Sequence, residues 1–203
     1  MMKRIFGIFV SVLFSVSMVQ AVELNANLEP NQLRVYGEDK PVKAYAFTSF
    51  SCPHCTVFHR DILPEMKKLV DAGQLQIILV EMPYDPRAMT GTLLARCLPA
   101  QKYDKFAEAM FDNQGSWSSS KNPKQIISGY AKLLGMSEQQ INSCLSDKKL
   151  AQTVTKQRNN LSNMYGVKGM PSVVVVSDKG HKLLVGADRE GIMSEIQKKI
   201  SEK

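Results

Sequence analysis

The sequence predicts an α/β fold interrupted by an inserted block of helices. Three observations carry this prediction. A β-type run at 43–48 (KAYAFT), a continuous β-branched run at 75–82 consistent with a strand buried on both faces, and the run SVVVVS at 172–177 read as strands. Between the first two, Val57, Phe58, Ile62, Met66, Leu69 and Val70 recur at helical spacing. From about 87 to 165 the chain then stays helical, the one shift in character along a sequence without repeats or low-complexity linkers.

In chain order, the start is basic (Lys3, Arg4) and apolar from Ile5 to Val19, and it ends in the small-residue exit Val19-Gln20-Ala21. This is the form of a cleaved secretory signal peptide, residues 1–21, and the apolar run is short of the ~20 residues of a spanning helix. Residues 22–40 are polar and turn-rich, with a short edge strand expected at 32–36. The strand at 43–48 leads into Cys52, and the following helix should kink at Pro64 and stop at Gly73. The strand at 75–82 closes a first part, 22–86. The insertion, 87–165, is punctuated by Pro99, Gly115, Pro123 and Gly135 and should hold four or five amphipathic helices. One of these begins with the capping-box pattern Ser137-Glu138-Gln139-Gln140. A last part, 166–203, contains a strand at 172–177, a turn at Asp178-Lys179-Gly180, a strand at 181–185 and a closing helix capped by Asp188.

Charge and composition narrow the function. Removing 1–21 lowers the formal charge from +7 to +5, a mild basic excess with no aromatic-interleaved basic stretch, so nucleic acid is not an expected partner. All four cysteines, Cys52, Cys55, Cys97 and Cys144, fall in the exported part, where disulfides form and persist. Four cysteines allow three pairings.

The chemistry concentrates in Cys52-Pro53-His54-Cys55, at a strand-to-helix junction. A cysteine there meets unpaired backbone N–H groups and the positive end of the helix dipole, which favour its thiolate. Pro53 suits the first turn because its missing N–H would be unpaired anyway, and His54 adds positive charge beside the sulfur. A stabilised thiolate makes the corresponding disulfide a stronger oxidant. Cys52, expected to be the exposed member, would exchange with a substrate thiol, and Cys55, one turn deeper, would resolve the mixed disulfide. Two other readings stay open. One is half of a zinc site, for which the chain offers no second Cys pair and only His54, His59 and His181 besides. The other is a structural staple, whose small loop constrains the unfolded chain little. The methionines are dispersed like core filler, which argues against a copper site. No metal and no cofactor is expected. Ahead of the strand at 172–177 stands Gly169-Met170-Pro171, where Pro171 is either an ordinary trans proline or a cis one.

Strand, Cys-Pro-His-Cys, helix, strand, helical insert, Gly-Met-Pro, hairpin and terminal helix together resemble the DsbA family of thioredoxin-fold disulfide oxidoreductases, over about 30–200. The resemblance implies a thioredoxin fold and a cis-proline loop in which Met170 and Pro171 face Cys52, tune it and hold an extended substrate backbone. It implies a periplasmic oxidase that passes its Cys52–Cys55 disulfide to unfolded exported proteins and is reoxidised by a quinone-linked membrane protein. A reductase or isomerase on the same fold is the alternative, and a non-catalytic binding module a third. No dimerisation domain is evident, and a monomer is expected. Around Cys97 and Cys144 the insert resembles an alphaproteobacterial subgroup with a second, non-catalytic disulfide. That bridge would clamp two insert helices and stabilise by about 3–4 kcal/mol. One departure stands out: many thioredoxin-fold enzymes carry a buried acid where this chain has Ala46. Its loss removes a charge that would oppose the thiolate and leaves proton transfer at Cys55 to water.

Overall fold

The computed structural model describes residues 33–202; the expected signal peptide lies outside them. Five strands form one sheet in the order β1-β3-β2-β4-β5. Strand β2 (Lys43–Thr48) and β3 (Gln76–Glu81) are parallel, with Ala46 opposite Leu79. They are joined by the helical run that begins at Pro53, so the first part is a βαβ unit. The edge strand β1 (Arg34–Tyr36) pairs antiparallel with β3. On the other side β4 (Ser172–Ser177) pairs antiparallel with β2, and the outer β5 (Gly180–Val185) completes the hairpin.

Alternation along the strands divides the core into two layers. Ala44, Ala46, Ile77, Leu79, Val173 and Val175 share one cluster with Phe58, Ile62 and Met66 of the motif helix, with much of the insert, and with Ile192 and Ile196 of the terminal helix α9 (Arg189–Ser201). Tyr45, Phe47, Ile78, Val80 and Val174 form the other with Leu161 and Tyr165. Those last two belong to α8 (Lys148–Tyr165), so the insert returns to cover the far face of the sheet.

The expected kink at Pro64 takes a specific form. Helix α1 (Pro53–Val57) passes through a π turn (Phe58–Ile62) into α2 (Leu63–Asp71). Pro64 cannot donate the bond an unbroken α-helix requires there. The ladder instead widens by one residue just before it, where the Leu63 N–H donates to the Phe58 carbonyl.

Between β3 and β4 the chain forms six helices, where four or five were expected. They are α3 (Pro86–Cys97), α4 (Ala100–Asp112), α5 (Gln114–Ser118), α6 (Pro123–Leu133), α7 (Glu138–Ser146) and α8. Gly115 does not break the chain: it lies inside α5, a single turn held by the buried Trp117. Helix α8 is capped by Asp147 and ends at Gly166, whose φ of 67° suits the left-handed C-cap. The capping box forms as the sequence predicts: Ser137 accepts from the Gln140 N–H, and the Gln140 side chain from the Ser137 N–H. Asp188 caps α9 through the Gly191 N–H.

Two cross-links tie the insert together. Cys97 and Cys144 are disulfide-bonded (S–S 2.02 Å), joining the end of α3 to α7. Only Cys144 is buried; Cys97, the last residue of α3, is exposed. Deeper in, Arg96 of α3 makes a two-pronged contact with Glu81 of β3 (2.6 and 3.3 Å), and its third nitrogen donates to Gln157 of α8 at 2.6 Å. Both charged side chains are about 5% exposed or less.

Candidate active site

Strand β2 ends at Thr48, and a tight turn carries the chain into the motif helix. The Cys52 N–H donates to the Ser49 carbonyl (3.1 Å) and the Cys55 N–H to the Cys52 carbonyl (3.0 Å). Cys52 is thereby the N-cap of α1 and Pro53 its first residue, the position where a missing N–H costs nothing. Both cysteines are present as thiols. The expectation that Cys52 is exposed needs correction. It is 7% exposed and Cys55 not at all, because the loop before β4 closes over the sulfur. The Cys52 thiol donates to the Met170 carbonyl across 3.7 Å, and the Met170–Pro171 bond is cis. Pro53 and His54 form the exposed rim.

The two thiols have opposite acidities. The Cys55 S–H donates to the Cys52 sulfur, and the backbone N–H groups of Cys55 and His54 and the His54 charge act in the same direction. Together they bring Cys52 down from 9.0 to about 6 against the opposing effect of burial. Donating that hydrogen bond and being buried push Cys55 far up, and only the Ser49 N–H, 3.5 Å from its sulfur, favours its thiolate. At neutral pH the pair holds one exchangeable charge, on Cys52.

Three neighbours were not singled out by the sequence as parts of the site. Tyr84, 57% exposed in the loop after β3, donates its hydroxyl to the Ser51 carbonyl at 2.8 Å. Gln114, at the start of α5, donates to the carbonyls of Phe50 (2.6 Å) and Cys52 (3.1 Å). His59, named in the sequence only as an unspent zinc ligand, sits in the π turn. It lies 3.2 Å from the Thr48 hydroxyl and stacks on Phe111, ring centres 4.0 Å apart. Burial lowers its pKa to about 3, so it is neutral at physiological pH. With Thr56, Arg60 and Lys67 it lines a cleft of about 440 Å³ beside the motif helix. Where many related folds place an acid stands Ala46, fully buried.

A sheet of this order, a dithiol capping the helix after its central strand, and a cis-proline loop 3.7 Å from the leading sulfur define a thioredoxin-fold dithiol protein. Residues 30–187 match the family model described as Thioredoxin, and the chain belongs to that family. Among curated proteins it is similar to one from Rickettsia bellii, provisionally named a protein-disulfide oxidoreductase, with 24% identity over 77% of this chain. It spans 61% of that relative's length. Among solved structures, alpha-DsbA1 from Wolbachia pipientis superposes with a TM-score of 0.74 at 22% identity, covering 84% of this chain and 92% of that one. BdbD from Bacillus subtilis gives 0.67 at 21% identity, covering 84% and 94%. The helical insert is thus part of the shared architecture.

Proposed function

We propose that this protein is an exported, periplasmic thiol:disulfide oxidoreductase that transfers the Cys52–Cys55 disulfide to thiols of unfolded exported proteins. The observation that carries the reading is the split acidity of the pair, Cys52 lowered to about 6 beside a strongly raised Cys55.

A client thiolate attacks the Cys52 sulfur of the disulfide; the Cys52–Cys55 bond breaks, and Cys55 leaves with the electron pair and takes up a proton. Fully buried, Cys55 is disfavoured as a thiolate, which slows its return attack on the Cys52 sulfur and leaves time for the client's second thiol. A second client thiolate then attacks the client sulfur of the mixed disulfide. Cys52 leaves as a thiolate that is stable near neutral pH, and low-pKa thiols leave fastest. The client has lost two electrons and gained one disulfide, and the enzyme is a dithiol. The loop at Met170 and Pro171 holds the client's extended backbone beside the sulfur. Reoxidation by a quinone-linked membrane protein closes the cycle, with the enzyme acting as a monomer.

Equilibration with glutathione tests the reading. The expected result is a pair that remains reduced except in strongly oxidising buffer, with disulfide transfer to a reduced, unfolded protein abolished by Cys52→Ser. A pair that remains oxidised in reducing buffer would make it a reductase or a structural bridge.

A further inference from the structure

The backbone of the active-site turn is held from outside. Between Phe50 and Cys52, three consecutive carbonyls accept from distant side chains. Tyr84 reaches the middle one, Ser51, and Gln114 the other two. Gln114 spends the two hydrogens of one carboxamide on carbonyls that flank the turn on either side. It arrives from the insert, 62 residues further along the chain than Cys52. It is half-buried, and its neighbours Trp117 and Phe111 are buried, so the base from which it reaches is packed.

Fixing a carbonyl fixes its peptide plane. The Cys52 carbonyl belongs to the plane that joins Cys52 to Pro53 and opens the helix. Its orientation sets where the next two N–H groups, those of His54 and Cys55, point. These are the backbone donors that favour the Cys52 thiolate. The Phe50 carbonyl, two residues before Cys52 in the same turn, is held by the same amide at 2.6 Å.

We propose that Gln114 is a positioning residue for Cys52, by which the helical insert holds the thiolate-stabilising donors in place. The proposal rests on the oxidoreductase reading and adds to it a physical link between the insert and the reacting sulfur.

Gln114→Met tests it, since methionine keeps the length and packing of the side chain and removes both donors. In the wild type, ultraviolet thiolate absorbance should show Cys52 titrating well below a free thiol. In Gln114→Met the midpoint should rise by roughly one pKa unit, as expected for lost hydrogen bonds, and the glutathione equilibrium should shift toward the disulfide by up to about tenfold. A midpoint equal to the wild type's overturns the proposal. A wild-type midpoint at the free-thiol value overturns the oxidoreductase reading instead, a separate result. If Gln114→Met does not fold, the wild type decides by NMR. The Gln114 side-chain amide signals should shift with the Cys52 midpoint, and signals indifferent to that titration overturn the proposal.

Discussion

Cys52 and Cys55 start from the same intrinsic acidity and are driven apart by two residues of spacing and one turn of helix. The N-cap position gives Cys52 its donors, and the position three residues later places Cys55 inside, where donation to Cys52 and burial favour its thiol form. His54 contributes by charge, the smallest of the lowering influences. Replacing it with leucine should therefore raise the Cys52 midpoint by less than one unit and make the disulfide a somewhat weaker oxidant. Thiolate absorbance and the glutathione equilibrium measure the two effects, and an unchanged midpoint would show that the backbone donors act alone. Cys52, Pro53, His54 and Cys55 are legible in sequence because their chemistry depends on spacing within one turn. Gln114 and Tyr84 are not. Each acts through a backbone carbonyl, which has no sequence signature, on a segment more than thirty residues away.

At the scale of elements, strands and caps follow local rules and the joins between them do not. The run at 43–48 reads as a strand from its alternating small and aromatic residues, KAYAFT, and the Ser137 capping box from S-x-x-Q, and both form at the expected residues. The insert is less legible. The single turn α5 is too short to show a helical period, and α8 follows α7 through Asp147 alone, so their patterns merge. Nor does periodicity show the buried Glu81–Arg96 pair, because each residue reads as an ordinary surface charge at the end of its own element. The pair with Gln157 joins β3, α3 and α8, with the Tyr103 hydroxyl of α4 3.4 Å from Glu81. Glu81→Gln would leave the Arg96 charge buried without its counterion. The expected cost is about 3–5 kcal/mol of unfolding free energy, measured by urea denaturation. Adding Arg96→Met should recover part of it, because the double variant buries no lone charge. A cost for the double variant equal to the sum of the two single ones would mean that the charges do not act as a pair.

For the molecule as a whole, the acidity of one thiol links redox state, pH and folding. The Cys52 pKa is lowered by folding from 9.0 to about 6, and only the reduced protein has this thiol to titrate. Between those values the unfolded reduced chain holds a proton that the folded one has released, so the stability of the reduced protein rises with pH. The contribution is full above about pH 9 and is lost as pH falls through about 6. Its size is a few kcal/mol at most, since each pKa unit is worth ~1.36 kcal/mol and part of the lowering comes from the neighbouring Cys55 thiol. Cys55, raised by folding, acts with the opposite sign only above the unfolded thiol pKa, outside this window. The oxidised protein lacks both thiols and should follow a flatter curve set by its other groups. The gap between the two forms is the same free energy that makes the disulfide an oxidant, since folding around a thiolate favours the reduced side of the exchange. Urea unfolding of reduced and oxidised protein at intervals from about pH 5 to 8.5 should give curves that diverge as pH rises, the reduced form becoming the more stable. Parallel curves would mean that the fold does not favour the Cys52 thiolate, and the oxidase reading would lose its thermodynamic basis even if thiol exchange were observed.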